Sequence, residues 1–158
     1  MVKKKILINL IGSQKTGMGH IYRSLILRDI LNEYDVRFIT TVIEKVVINF
    51  FREREIPLSI SKSNNILNNI YKIKPDILIN DILDTKTKFI KHVKNNNIKV
   101  INLEDLGTGA KYADLLVNEI YEKKVFHSKN SYWGHKFFLI KKDFLKLKRN
   151  KFKKNIKN

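Results

Sequence analysis

The sequence predicts an α/β protein: a parallel sheet with helices on both faces. Three observations predict it. Short β-rich runs alternate with segments of helical period along most of the chain. The length of 158 residues and the 43% hydrophobic content suit one globular domain rather than a disordered basic protein. No internal repeat or long linker interrupts the alternation.

The elements follow in order. Residues 5–11 (KILINLI) form a first strand. The run begins basic and turns apolar like a signal peptide, but it is short, contains Asn9 and lacks a small-residue cleavage site. A polar, Gly-containing loop covers residues 12–18. Apolar residues at Ile21, Leu25, Ile26, Ile30 and Leu31 then recur near a 3.6-residue period, predicting a helix over 19–33 that opens at His20. Residues 36–41 read as a strand, 42–54 as a helix, 57–60 as a short strand, and 64–73 as a helix with Ile66, Leu67 and Ile70 inward. Pro75 stops that helix. Residues 76–83 (DILINDIL) begin as a buried strand. An exposed helix over 86–96 follows, with Phe89, Ile90 and Val93 as its apolar stripe, then strands over 99–103 and 114–118. Beyond Tyr121 the pattern is harder to read.

Composition narrows the chemistry. Without cysteine there is no disulfide framework, thiolate metal site, zinc finger or cysteine nucleophile. No run approaches the eighteen or so apolar residues of a membrane span, so a soluble, cytoplasmic protein is expected. The net charge is +17, of which +9 lies between Lys136 and Asn158. Such a tail could bind nucleic acid, anionic lipid or an acidic partner. Equally, the chain is rich in Lys, Ile and Asn throughout, and only six of its 32 cationic side chains are Arg, the residue favoured for bidentate phosphate recognition. Charge therefore does not make nucleic-acid binding the expected role.

Ligands of open parallel sheets bind beyond the carboxyl ends of the strands, near the point where strand order reverses. That rule selects Gly17-Met18-Gly19-His20 after the first strand, Asp81 and Asp84 after the strand over 77–80, and Glu104-Asp105-Leu106-Gly107 after the strand at 99–103. The first loop is no P-loop, since no Lys and Ser/Thr follow its last glycine. Nor is it a dinucleotide fingerprint: Tyr22 stands where a third glycine belongs, and Thr40 and Thr41 where an acid should close the second strand. What remains is a loop whose small residues permit close approach, ahead of helix N–H groups that favour an anion.

His20 faces the positive end of the helix dipole, which disfavours the imidazolium. A neutral ring could act as a general base or contact a phosphate or sugar hydroxyl; spacing alone favours a helix-start histidine bonded to its own loop. Arg23 lies one turn on and either meets a ligand or pairs with a nearby carboxylate. Asp81 or Asp84 could orient His20 or accept sugar hydroxyls. The alternative for Asp84, preceding Thr85, is a helix cap. Asp105, in the loop over 104–109, is a further candidate for ligand contact. His92, His127 and His135 carry no comparable context and no metal-ligand spacing.

These segments together resemble a known family. Gly17-Met18-Gly19-His20-Ile21-Tyr22-Arg23-Ser24 is similar to the G-x-G-H-x-x-R segment of the pseudaminic-acid-pathway UDP-sugar hydrolases and the related spore-coat polysaccharide proteins. Four more matches follow in order: Ile79-Asn80-Asp81, Glu104-Asp105-Leu106-Gly107, Tyr112-Ala113-Asp114-Leu115-Leu116-Val117-Asn118, and Tyr132-Trp133-Gly134 with Phe138-Leu139-Ile140-Lys141-Lys142-Asp143-Phe144. The resemblance implies the Rossmann-like N-terminal domain of a GT-B glycosyltransferase fold over residues 1–144, with 145–158 a basic tail or interdomain linker. It implies that His20 is catalytic, activating water for attack at the anomeric carbon and releasing UDP from a diacetamido-trideoxy sugar with inversion. Ser13 matches the family's loop serine, and Ser13, Gly17, Gly19, Arg23, Asp81 and Asp105 are the expected substrate-binding residues, with no metal and no cofactor. The family's early Arg and Asp stand here as Asn9 and Ile11. The second GT-B domain, which recognises the nucleotide, has no counterpart after Phe144. The resemblance therefore implies a half-site completed by the remainder of a longer or split enzyme or by a partner protein; self-association could bring two half-sites together, but identical halves would not supply the uridine pocket. A sugar transferase of the same fold and a non-catalytic binding half are the alternatives.

Overall fold

A computed structural model describes residues 3–15, 17–42, 44–126, 130–140, 144 and 146. Seven strands, β1 Lys5–Leu10, β2 Asp35–Thr40, β3 Leu58–Ile60, β4 Ile77–Asp81, β5 Lys99–Leu103, β6 Leu115–Asn118 and β7 Ser131–Trp133, form one sheet in the order β3-β2-β1-β4-β5-β6-β7. Every pairing is parallel. The helices are α1 Gly19–Ile30, α2 Lys45–Arg52, α3 Ile66–Ile73 and α4 Thr87–Asn95. This is the Rossmann-like α/β architecture expected from the alternation. Strand order reverses between β1 and β4, which makes the C-terminal ends of those two strands the crevice of the sheet.

Alternation along the strands distributes the core. Ile6, Ile8 and Leu10 of β1 and Ile79 of β4 pack with Ile21 of α1 and Val47, Phe50 and Phe51 of α2 on one face. Leu7 of β1 and Leu78 of β4 pack with Ile70 of α3 and Ile90 and Val93 of α4 on the other. Two residues after Ile79 on the same side stands Asp81, turned toward α1; two after Leu78 stands Asn80, turned toward α4.

Asn80 belongs to a buried row of amides. Asn9 Nδ2 donates to Asn80 Oδ1 at 3.1 Å, Asn80 Nδ2 to Asn102 Oδ1 at 2.9 Å, and Asn102 Nδ2 to Asp105 Oδ2 at 2.5 Å. Asn9, Asn80 and Asn102 are directly opposed in the β1–β4–β5 register. A one-residue slip of any of the three strands would turn its amide to the opposite face and break the row, so the row pins the register.

Several boundaries differ from the expected ones. The strand expected over residues 77–80 extends one residue further, to Asp81, and Leu83, left-handed at φ 64°, then turns the chain. The helix expected from residue 64 opens as a 3₁₀ turn, Ser63–Asn65, and becomes α-helical at Ile66. Lys74, at φ 52°, closes it before Pro75. β7 escaped the sequence reading: three residues bounded by a loop carry too little periodicity to register. No helix among the described residues is long and apolar enough to cross a membrane.

Candidate active site

The Gly12–Met18 connection brings α1 over the C-terminal end of β1. Gly12 is glycine for packing, since a Cβ there would run into the Ile21 side chain. Ser13 and Gly17 close the loop through reciprocal backbone bonds, Gly17 N donating to Ser13 O at 2.8 Å and Ser13 N to Gly17 O at 3.3 Å. Gly17 sits at φ 77°, the left-handed region that suits glycine, and Gly19 opens α1 with nothing near the position a Cβ would take. The helix begins without a side-chain cap at Met18. Its first N–H groups are therefore uncapped by side chains at an open loop.

One turn of α1 then meets the end of β4. Asp81, 0% exposed, accepts from His20 Nδ1 at 2.6 Å and from Arg23 Nε at 2.9 Å. Arg23 Nη2 donates to its other contact oxygen, Oδ1, and Ser24 Oγ lies at 3.5 Å from Oδ2. A carboxylate only accepts, so Nδ1 carries the hydrogen of that contact, and Nε2 of His20 has no protein partner among the described residues. The arrangement is a carboxylate holding an imidazole in one tautomer, with a guanidinium clamping the carboxylate in turn.

Arg23 carries more than one anion. Its Nη1 donates to Glu119 Oε1 at 2.7 Å and stands 3.6 Å from Glu104 Oε1. Burial alone would weaken the hold of Arg23 on its proton. The hydrogen bonds and charges of Asp81 and then Glu119 outweigh burial, so the guanidinium is held charged more firmly than usual. Glu119 also accepts from the Leu139 backbone N–H at 3.0 Å, which ties the segment after β7 to the site. Burial raises the Glu104 carboxyl above its ordinary range, against the opposing pull of Arg23 and neighbouring backbone amides.

His20, Arg23, Glu104 and Glu119, with Gly19, Leu83, Ile120 and Leu139, line a groove of about 350 Å³. Tyr22, Ile26, Phe138 and Leu139 are shared with a larger groove of about 970 Å³ that runs past Phe50 and Ile56 to Phe144.

The expected residues fall into two groups. His20, Arg23 and Asp81 converge, and Gly17 and Gly19 flank them at the loop. Asp105 does not join them. Its Oδ1 accepts from the Thr85 and Gly107 amides at 3.0 and 2.8 Å, and its Oδ2 from Thr85 Oγ1 at 2.6 Å and from Asn102. With both oxygens doubly occupied and no exposed surface, Asp105 organises its loop rather than offering an acceptor to a ligand. Gly107 and Gly109 likewise press on Thr85 rather than on an open space. Asp84 caps no helix; Lys86 is the N-cap of α4, and Asp84 Oδ1 accepts from Leu106 N at 3.1 Å. His135 pairs with Glu122 at 2.7 Å on the surface, His92 lies in the last turn of α4, and His127 is outside the described residues, as is the tail from 147 on. Glu119 was missed by sequence reasoning. Its only signal was an acid directly after a strand end, on the rim already singled out.

No family model matches the chain. It is similar to the uncharacterized protein MJ1062 of Methanocaldococcus jannaschii, 34% identical over 175 aligned positions that cover 96% of this chain. The chain spans 35% of the length of that relative.

Proposed function

We propose that this chain is a nucleotide-sugar hydrolase-like domain of cytoplasmic nonulosonic acid or surface-polysaccharide biosynthesis. In this reading His20 Nε2 takes a proton from water while the water oxygen bonds to the anomeric carbon of a UDP-linked sugar. The bond from that carbon to the phosphate oxygen breaks, its electron pair leaves with UDP, and the sugar carbon inverts. The observation that carries the reading is the 2.6 Å bond from His20 Nδ1 to buried Asp81 at the reversal point of the sheet.

Each group has a task in that chemistry. Asp81 fixes the tautomer and would stabilise the imidazolium as it forms. Arg23 holds Asp81 in place and is occupied by protein carboxylates, so it acts through Asp81 rather than on the diphosphate. The amides at the start of α1, reached past Gly17 and Gly19, favour the diphosphate. Leu83 and Ile120 supply an exposed apolar margin to the groove, against which a sugar ring can pack.

The test is release of UDP from UDP-linked acetamido sugars, followed by chromatography, with the full-length protein that carries this chain. His20→Ala is expected to lower release by at least about a hundredfold, the scale of a general base. Turnover retained in that variant would dispose of the mechanism. The same histidine could deprotonate a sugar hydroxyl, and a glycoside product formed only with added acceptor would convert the reading to transfer.

A further inference from the structure

Arg23 is one cation set among three carboxylates. Asp81 and Glu119 take its hydrogen bonds, while Glu104 Oε1 stands 3.6 Å from Nη1 and accepts the Glu119 backbone N–H at 2.5 Å. The second oxygen of Glu104, Oε2, is sealed from solvent and has no hydrogen-bond partner among the described residues. The residue as a whole is 4% exposed and holds a left-handed backbone at φ 51°, a conformation uncommon outside glycine and asparagine.

Two electrostatic arguments bear on that oxygen. A charged carboxylate oxygen sealed from bulk solvent and facing no protein donor is far costlier to bury than an unpaired neutral hydroxyl. Three anions around one guanidinium would also carry two more negative charges than Arg23 can offset in a desolvated cluster. We infer that Glu104 carries a proton on Oε2 and serves as the neutral positioning residue of the cluster formed by His20, Arg23, Asp81 and Glu119. The groups concerned come from every element around it: His20 and Arg23 from α1, Asp81 from the end of β4, Glu119 from the turn after β6.

A neutral Glu104 leaves the cluster with one net negative charge, from Asp81 and Glu119 against Arg23. A proton arriving on His20 from water would bring that charge to zero. This use in catalysis rests on the hydrolase reading; the protonation itself does not.

Thermal unfolding of the wild type and of Glu104→Gln between about pH 4 and about pH 8 tests the inference without any substrate. The amide copies the shape of the neutral acid and does not titrate. A carboxyl raised above its ordinary value of 4.5 binds more protons folded than unfolded, so its contribution is complete at acid pH and is lost as pH rises. The wild type is expected to lose stability relative to Glu104→Gln as pH climbs past that value. A wild type that gains on the variant over the same range would show an ionised Glu104 paired with Arg23 and overturn the inference, as would a difference independent of pH. Should Glu104→Gln fail to fold, a carbon-13 titration of the wild-type Glu104 carboxyl decides the same question. A midpoint above the ordinary glutamate range supports the inference, and one at or below it overturns it. Neither readout contains substrate, so failure of the hydrolase reading would leave the result standing.

Discussion

Asp81 is the residue on which the candidate site turns. It is fully buried, accepts from His20 and Arg23, and lies near Ser24. Its neutral counterpart cannot serve all of them, because an amide would turn an NH₂ group toward donors. Asp81→Asn is expected to destabilise the fold by about 3 kcal/mol, the scale of breaking a buried ion pair from one side, as measured by urea unfolding. A change below about 1 kcal/mol would mean that the cluster reorganises around the amide and that the carboxylate is not its anchor. His20, Arg23 and Asp81 were legible in the sequence: the first two by their three-residue spacing, the third by its place after a strand on the functional rim. Glu119 was not, since its pairing with Arg23 spans 96 residues and no local pattern encodes it.

The glycines separate packing from access among the loop and helix elements. A Cβ at Gly107 would overlap backbone atoms of Thr85, which cannot swing away as a side-chain end can. Gly107→Ala is therefore expected to cost about 1–3 kcal/mol in denaturant unfolding. Gly19 is the reverse case, with open space around its missing Cβ at the first turn of α1. Gly19→Ala is expected to leave stability unchanged or raise it by up to about 1 kcal/mol. Under the hydrolase reading the same change also weakens UDP binding in calorimetry, because the added methyl stands where the diphosphate approaches. Unaltered binding in that variant would move the phosphate site away from the loop. The loop over 104–109 looked ligand-facing because it is acidic and glycine-rich. Those features instead serve Thr85 and Asn102, contacts that only the docking of neighbouring loops creates.

For the whole molecule, the expected boundary after Phe144 carries its own test. A chain ending at residue 144 is expected to unfold in one transition with a midpoint within about 3 °C of the full chain, by circular dichroism. Loss of the transition would place residues 145–158 in the structural core and move the boundary. The architecture itself was written in the chain, since alternating strand and helix periods with continuous apolar strands admit a parallel sheet covered on both faces and little else. The sequence by itself determined that sheet, its rim, and the neighbourhood of His20 and Arg23 on one helix, because those follow from local period and from the rule that loops at carboxyl strand ends are free to bind. Only the tertiary structure decided which acids face the histidine. Side-chain direction alternates along each strand, and charges from four distant segments meet once the sheet has twisted and closed its crossovers, so Asp81, Glu104 and Glu119 gather at Arg23 while Asp105 turns away into its own loop.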